Sequence, residues 1–84
     1  MSQYVVYILR CGDGTLYTGC TNDLKRRLAA HSSGRGAKYT RARLPVALVY
    51  QEDAADKSQA LRREAAIKAL TREQKLALIQ GKEG

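Results

Sequence analysis

The chain opens on a run with almost no polar interruption: between Gln3 and Arg10 stand Tyr4, Val5, Val6, Tyr7, Ile8 and Leu9. A β-branched and aromatic run of this kind predicts a strand covered on both faces. Gly12-Asp13-Gly14 breaks it and Thr15 to Cys20 resumes the strand pattern, so residues 3 to 20 are expected to form a hairpin. Loop length then decides where the side chains go. A three-residue loop with Gly14 in the left-handed conformation pairs Cys11 with Thr15 and sets Tyr7 and Tyr17 on one face as diagonal neighbours. A two- or four-residue loop sends the two rings to opposite faces. The Asp-Gly ending suits the three-residue loop and its bulge.

Beyond Cys20 the period changes from two to that of a helix. Thr21 or Asn22 is expected to cap a helix running to about His31, with Asp23 in the first turn. Leu24 and Leu28 set its inward stripe. At about 100° per residue His31 falls nearly in line with Leu24, and Arg27 stands roughly 60° to one side, while Lys25 and Arg26 point more toward solvent. Ser32 to Leu44 has no apolar period and carries Gly34 and Gly36. It is expected to be a mobile loop able to close on a phosphate backbone, or simply a long connector.

Pro45 marks the entry to a third strand, Val46 to Tyr50. A second helix is expected from about Ala55 to Leu70, with Ala60, Leu61 and Ile67 flanking Glu64 along its inward stripe. A charge emerging there needs a partner. Either Glu64 pairs with Lys68 at the helix edge, worth about 0.2–0.5 kcal/mol, or it is a metal ligand. Thr71-Arg72-Glu73-Gln74 forms a capping box that opens a final helix, docked by Leu76, Ala77 and Ile79 and ended by Gly81. These elements make an α+β domain, a small three-stranded antiparallel sheet flanked by three helices in the order ββαβαα.

Length bounds this to one domain spanning residues 1–84. The chain carries a formal charge of +7, and its placement says more than its size. Residues 25 to 43 hold Lys25, Arg26, Arg27, Arg35, Lys38, Arg41 and Arg43 with no acid, whereas the remainder balances eight basic against eight acidic residues. One segment therefore carries all the excess, which is the electrostatic footprint of a polyanion partner, usually nucleic acid. A solvated face that aids solubility would normally have interleaved acids. All five aromatics are tyrosines, so every buried ring also brings a hydroxyl that needs a partner. Cys11 and Cys20 lie about 16 Å apart along a hairpin, too far for a disulfide, and with one histidine they make a poor zinc site; both are expected to be reduced packing residues. No apolar run approaches the length of a membrane span, and Met1-Ser2-Gln3 lacks the features of a signal peptide, so a cytoplasmic location is expected. His31 alone would be a terminal histidine interacting with the helix dipole.

Taken together, Val5-Val6-Tyr7, Tyr17-Thr18-Gly19, Arg27, His31, the loop Gly34-Arg35-Gly36-Ala37-Lys38-Tyr39-Thr40, and Glu64 followed by Ile67-Lys68 resemble the GIY-YIG nuclease superfamily over essentially the whole chain. The similarity is greatest to its small single-domain bacterial branch. The resemblance implies divalent-metal-dependent cleavage of phosphodiester bonds, as in excision-repair incision subunits, homing endonucleases, some restriction enzymes and junction-resolving nucleases. Such hydrolysis requires an activated water, neutralisation of charge on the phosphoryl oxygens and help for the leaving alkoxide.

By the same resemblance, Glu64 holds one Mg²⁺ or Mn²⁺, and Arg27 clamps the scissile phosphate with its planar fork of donors. Tyr7 becomes a general base where a cation, Arg27 or His31 favours its phenolate. Tyr17 orients water or phosphate, His31 relays or holds the proton, and Gly19 lets the backbone leave the strand without a Cβ in the way. Lys25, Arg26, Arg35, Lys38, Tyr39, Arg41 and Arg43 are the expected nucleic-acid contacts, with DNA favoured and RNA open.

Three departures stand out: Val5 and Val6 replace the glycine and isoleucine of the first motif, Thr18 replaces the isoleucine of the second, and Asn22 is the only asparagine, so none follows Glu64. Without added reading domains, substrate choice is expected to rest on shape or on a protein partner. The alternatives are a nucleic-acid-binding module on the same scaffold without turnover, and a protein-interaction domain.

Overall fold

The computed structural model describes residues 4–81; Gln3, at which the strand pattern begins, lies outside the described residues. Strands β1 (Tyr4–Arg10) and β2 (Leu16–Thr21) pair antiparallel, and β3 (Ala47–Ala54) pairs on the other side of β1, giving the order β2-β1-β3. The central position of β1 accounts for its unbroken apolar run: Val6, Tyr7, Ile8 and Leu9 are all buried. The three-residue loop is present. Cys11 N–H donates to the Thr15 carbonyl at 2.8 Å, Gly14 N–H to the Cys11 carbonyl at 2.9 Å, and Gly14 has φ +85°. Asp13 ties the turn by accepting from Thr15 N–H at 3.1 Å and Thr15 Oγ1 at 2.6 Å. Tyr7 therefore faces Gly19 across the ladder and shares a face with Tyr17, which pairs with Leu9.

β3 extends beyond the expected Val46 to Tyr50, because Gln51, Glu52 and Asp53 pair with Tyr7, Val6 and Val5. An edge strand with one face in water accepts such polar residues. Helix α1 (Leu24–Ser32) is capped by Asp23, whose carboxylate accepts from Arg26 N–H at 3.2 Å, while Thr21 Oγ1 accepts from Asp23 N–H at 3.1 Å. Leu24 and Leu28 are only half-buried and His31 is the buried residue of this helix, so the inward stripe is centred on the histidine rather than on the leucines.

The connector contains a helical turn, α2 (Lys38–Arg41), that the sequence pattern did not predict. Helix α3 (Lys57–Lys68) is capped by Asp56 and α4 (Arg72–Ile79) by the expected capping box, with Thr71 Oγ1 accepting from Gln74 N–H at 3.2 Å and Gln74 Oε1 accepting from Thr71 N–H at 2.9 Å. The described order is thus ββααβαα, with a single turn added to the expected three helices.

One face of the sheet packs on α3 and α4 through Val6, Ile8, Ala54, Ala60 and Ile67, with Leu70, Leu78 and Ile79 at the margin. Fully burying Val6, Ile8 and Ile67 there contributes about 1.5–3 kcal/mol each. Leu61, expected on the inward stripe of α3, is instead 49% exposed. Glu52 pins β3 to α3 by accepting from Tyr50 Oη at 2.6 Å and Arg63 Nε at 2.9 Å. Among the described residues no helix is long and apolar enough to cross a membrane. The opposite face, with Tyr7, Leu9, Tyr17 and Gly19, receives His31 of α1.

Candidate active site

Tyr7 stands on the central strand, but its hydroxyl does not stay there. A Cβ on Gly19 would lie 2.6 Å from Tyr7 Oη and 2.8 Å from its Cζ, so the ring lies across the edge strand over the bare Cα of Gly19. β2 continues through Gly19 to Thr21, and Gly19 is not among the glycines with positive φ. The glycine thus serves as a passage for Tyr7, which replaces the expectation that the backbone leaves the strand there.

The hydroxyl meets His31 Nε2 at 3.0 Å, and His31 Nδ1 meets Thr40 Oγ1 at 2.8 Å. Both His31 and Thr40 are fully buried. Gly36 closes over the imidazole so tightly that a Cβ there would lie 2.8 Å from His31 Cγ. The loop between α1 and β3 is therefore folded into the site. Tyr17 packs on His31 with ring centroids 5.4 Å apart, Tyr39 stacks on Tyr17 at 5.9 Å, and Arg43 Cζ lies 3.9 Å above the Tyr39 ring. Arg43 also donates to the Tyr39 carbonyl at 3.0 Å, and its Nε forms a 3.0 Å ion pair with Asp13 Oδ2 without hydrogen-bond alignment. Gly12 N–H donates to the Arg43 carbonyl at 2.7 Å. Of the expected nucleic-acid contacts, Arg43 and Tyr39 thus fasten the loop to the hairpin tip, whereas Lys25, Arg26, Arg35, Lys38 and Arg41 are exposed.

Burial, and then the positive charge of Arg27, hold the His31 imidazole below its ordinary pKa. Burial pushes the Tyr7 phenol above its usual value against the pull of Arg27, with the Tyr17 and Glu64 charges adding to the rise. At neutral pH the pair therefore consists of a protonated phenol and a neutral imidazole. Because the folded-state value of His31 is the lower one, its contribution to stability is present above the unfolded value near pH 6.5 and lost as pH falls through the folded value. Urea midpoints measured across that range should fall with pH more steeply in the wild type than in His31→Gln; parallel curves would contradict this.

Glu64 comes from the other side of the sheet. It sits on α3 and takes Lys68 Nζ at 2.7 Å with its side chain 18% exposed. Burial pushes the Glu64 carboxyl upward, but the neighbouring Cys20 thiol and the Lys68 ammonium outweigh it and leave the group below its usual value. Burial and the same carboxylate push the Cys20 thiol up to about 11. Cys20 and Gly19 are successive residues of β2 whose side-chain directions alternate, so Glu64 and Tyr7 approach the edge strand from opposite faces, within electrostatic reach of each other.

Among the described residues no three His, Cys, Asp or Glu side chains are grouped to hold a metal. An ionised carboxylate at the rim suits a hard cation that keeps most of its waters, such as Mg²⁺, rather than a closed protein cage; Lys68 is the group with which it would compete. Arg27 also walls an open groove of about 560 Å³ with Thr21, Asn22, Asp23, Arg26 and Ala30. Thr18, at the departure in the second motif, points to the α3 face, where its buried hydroxyl has no partner among the described residues. It leaves the Tyr7 face unaltered. Cys11 and Cys20 are both free.

Residues 3–77 match the model of the GIY-YIG catalytic domain. A UPF0213 protein of Staphylococcus epidermidis is 54% identical over 80 residues, covering 95% of this chain and 98% of the relative. A UPF0213 protein of Streptococcus agalactiae is 57% identical over 75 residues, covering 89% and 85%. The solution NMR structure of a UPF0213 protein from Bacillus halodurans superposes with a TM-score of 0.61 at 47% identity, covering 96% of this chain and 86% of that one. A second NMR structure, of a protein from E. faecalis, gives a TM-score of 0.63 at 43% identity, with coverage of 96% and 85%. With the domain model spanning nearly the whole chain and the relatives matched along most of their length, the chain belongs to the GIY-YIG family, in its UPF0213 branch.

Proposed function

We propose that the protein is a divalent-metal-dependent endonuclease that hydrolyses phosphodiester bonds in DNA, with substrate selection by shape or by a partner protein. The observation that carries this is the Tyr7 hydroxyl held over Gly19, 3.0 Å from the Nε2 of a buried histidine, with Arg27 alongside. A phenol of raised pKa is a poor base by itself. Bonded to an imidazole lone pair, it need not exist as a phenolate beforehand. Tyr7 takes a proton from the attacking water as its own proton passes to His31 Nε2, so the phenol is restored and the charge appears on the imidazole. The water oxygen then forms the bond to phosphorus while the bond to the leaving oxygen breaks, and that oxygen takes a proton from solvent.

Arg27, exposed and at the wall of the groove, holds the phosphoryl oxygens. Tyr17, half-buried against His31, orients the water or phosphate from the rim. Lys25, Arg26, Arg35, Lys38 and Arg41 carry the flanking strand by contacts to its backbone. Glu64 would hold the Mg²⁺ or Mn²⁺, which supplies neutralising charge at the phosphate when bound.

The Lys68 ammonium on Glu64 favours a second possibility, a scaffold that binds nucleic acid without turnover. Titrating Mg²⁺ or Mn²⁺ against labelled single-stranded, duplex, flap and junction DNA, with RNA counterparts, separates the two. The expected result is metal-dependent nicking that falls to background in Glu64→Gln, with binding of the labelled strands retained. Binding without product at any metal concentration would leave the scaffold alone, and equal nicking by wild type and Glu64→Gln would remove Glu64 from the mechanism.

A further inference from the structure

We propose that Thr40 is a positioning residue, fixing His31 in the tautomer whose Nε2 lone pair faces the Tyr7 hydroxyl. The direction of the hydrogen bonds follows from what each group can donate. The Ala37 carbonyl can only accept, and Thr40 Oγ1 lies 3.0 Å from it. The single Thr40 proton is used there, so toward His31 Nδ1, at 2.8 Å, the threonine oxygen accepts. Nδ1 therefore carries the imidazole proton, Nε2 is bare, and the Tyr7 hydroxyl at 3.0 Å donates to it.

The reverse order fails at the other end of the chain. With Thr40 donating to Nδ1 and Nε2–H donating to Tyr7, the phenolic proton would need a further acceptor. Arg27, beside it, offers only donors, and among the described residues His31 Nε2 is the hydrogen-bond partner of the Tyr7 hydroxyl. A donor buried as deeply as Tyr7 costs about 1–3 kcal/mol when unpaired.

A threonine merely ending a helical turn would be satisfied by Ala37 alone and would not need to be fully buried on an imidazole. Thr40 lies in the one-turn α2, whose apolar period is too short to find from sequence, and Gly36 leaves the space that lets this turn close on His31. The consequence for catalysis rests on the nuclease function proposed above; the tautomer does not.

The test is ¹⁵N NMR of the His31 ring in the wild type, Thr40→Ser and Thr40→Val, at a pH where the imidazole is neutral, with cleavage rates measured on the same proteins. Wild type and Thr40→Ser should show Nδ1 protonated and Nε2 bare. Thr40→Val, which keeps the shape and loses the hydroxyl, should shift toward Nε2–H and cleave at least about 10-fold more slowly, with the rate restored by serine. A wild-type ring protonated on Nε2, or one left on Nδ1 in Thr40→Val, would overturn the assignment. Should the valine protein fail to fold, Thr40→Ala takes its place with the same expectation. If no protein of the set, wild type included, cleaves, the nuclease function fails while the tautomer assignment is still decided by the spectra.

Discussion

Gly19→Ala is expected to lower strand cleavage by about 10²-fold, the usual consequence of displacing a catalytic group by around an ångström. The added methyl carbon would stand 2.6 Å from Tyr7 Oη and 2.8 Å from Cζ, closer than a Cβ approaches another heavy atom in folded proteins. One of the two must move, and Tyr7 cannot yield freely because it is 1% exposed and bonded to a buried histidine. The ring is therefore pushed off Gly19 and its hydroxyl off Nε2. Overpacking of this kind costs about 1–3 kcal/mol, so the urea midpoint should also fall while the protein remains folded. Tyr7→Phe provides the comparison, since it removes the hydroxyl without forcing the ring aside. The two variants should cleave comparably poorly and both should lose stability, the alanine through overpacking and the phenylalanine by leaving the buried His31 Nε2 without its donor. A Gly19→Ala protein that cleaves at the wild-type rate would show that the placement of Tyr7 is not needed.

Arg27→Ala should lower cleavage by about 10²–10³-fold through loss of a charged donor at the developing phosphoryl charge. Its cost in stability should stay within about 0.5 kcal/mol, as for an ordinary surface position. A second effect reports on the site without substrate. The positive charge of Arg27 is one of the two causes that hold His31 low, so its removal should move the imidazole titration upward, as followed by NMR. Arg27→Lys should keep much of that electrostatic effect while losing the two-pronged hold on phosphate. Unchanged cleavage together with an unmoved His31 titration would place Arg27 outside the site altogether.

Much of this arrangement was legible in the chain because local chemistry specified it. Asp13-Gly14 announced the odd-length turn, and with it the shared face of Tyr7 and Tyr17. Thr71 and Gln74 announced the start of α4. What escaped depends on tertiary contact. Gln51, Glu52 and Asp53 look like a loop and are a strand only because β1 lies beside them. Lys38–Arg41 is too short to display a period. Leu24 and Leu61 obey the helical stripe in projection, yet what lies opposite decides burial, and it selected His31 and Ala60 instead. Thr40 gave no signal beyond its place in a recognisable loop, because a hydroxyl that accepts a hydrogen bond from an imidazole nine residues away leaves no mark in spacing. The chain order also concealed that Tyr7 and Glu64 reach the edge strand from opposite faces.

Among the described residues β2 has one strand neighbour, and that asymmetry constrains how the protein can associate. An edge strand of this kind can template another backbone, and a strand added there would run alongside Gly19 between the Tyr7 and Glu64 faces. Growth of the sheet at β3 would leave that border open. Under the nuclease function proposed above, self-association along the first edge would exclude a nucleic-acid strand from the site, whereas assembly through the second would leave it open.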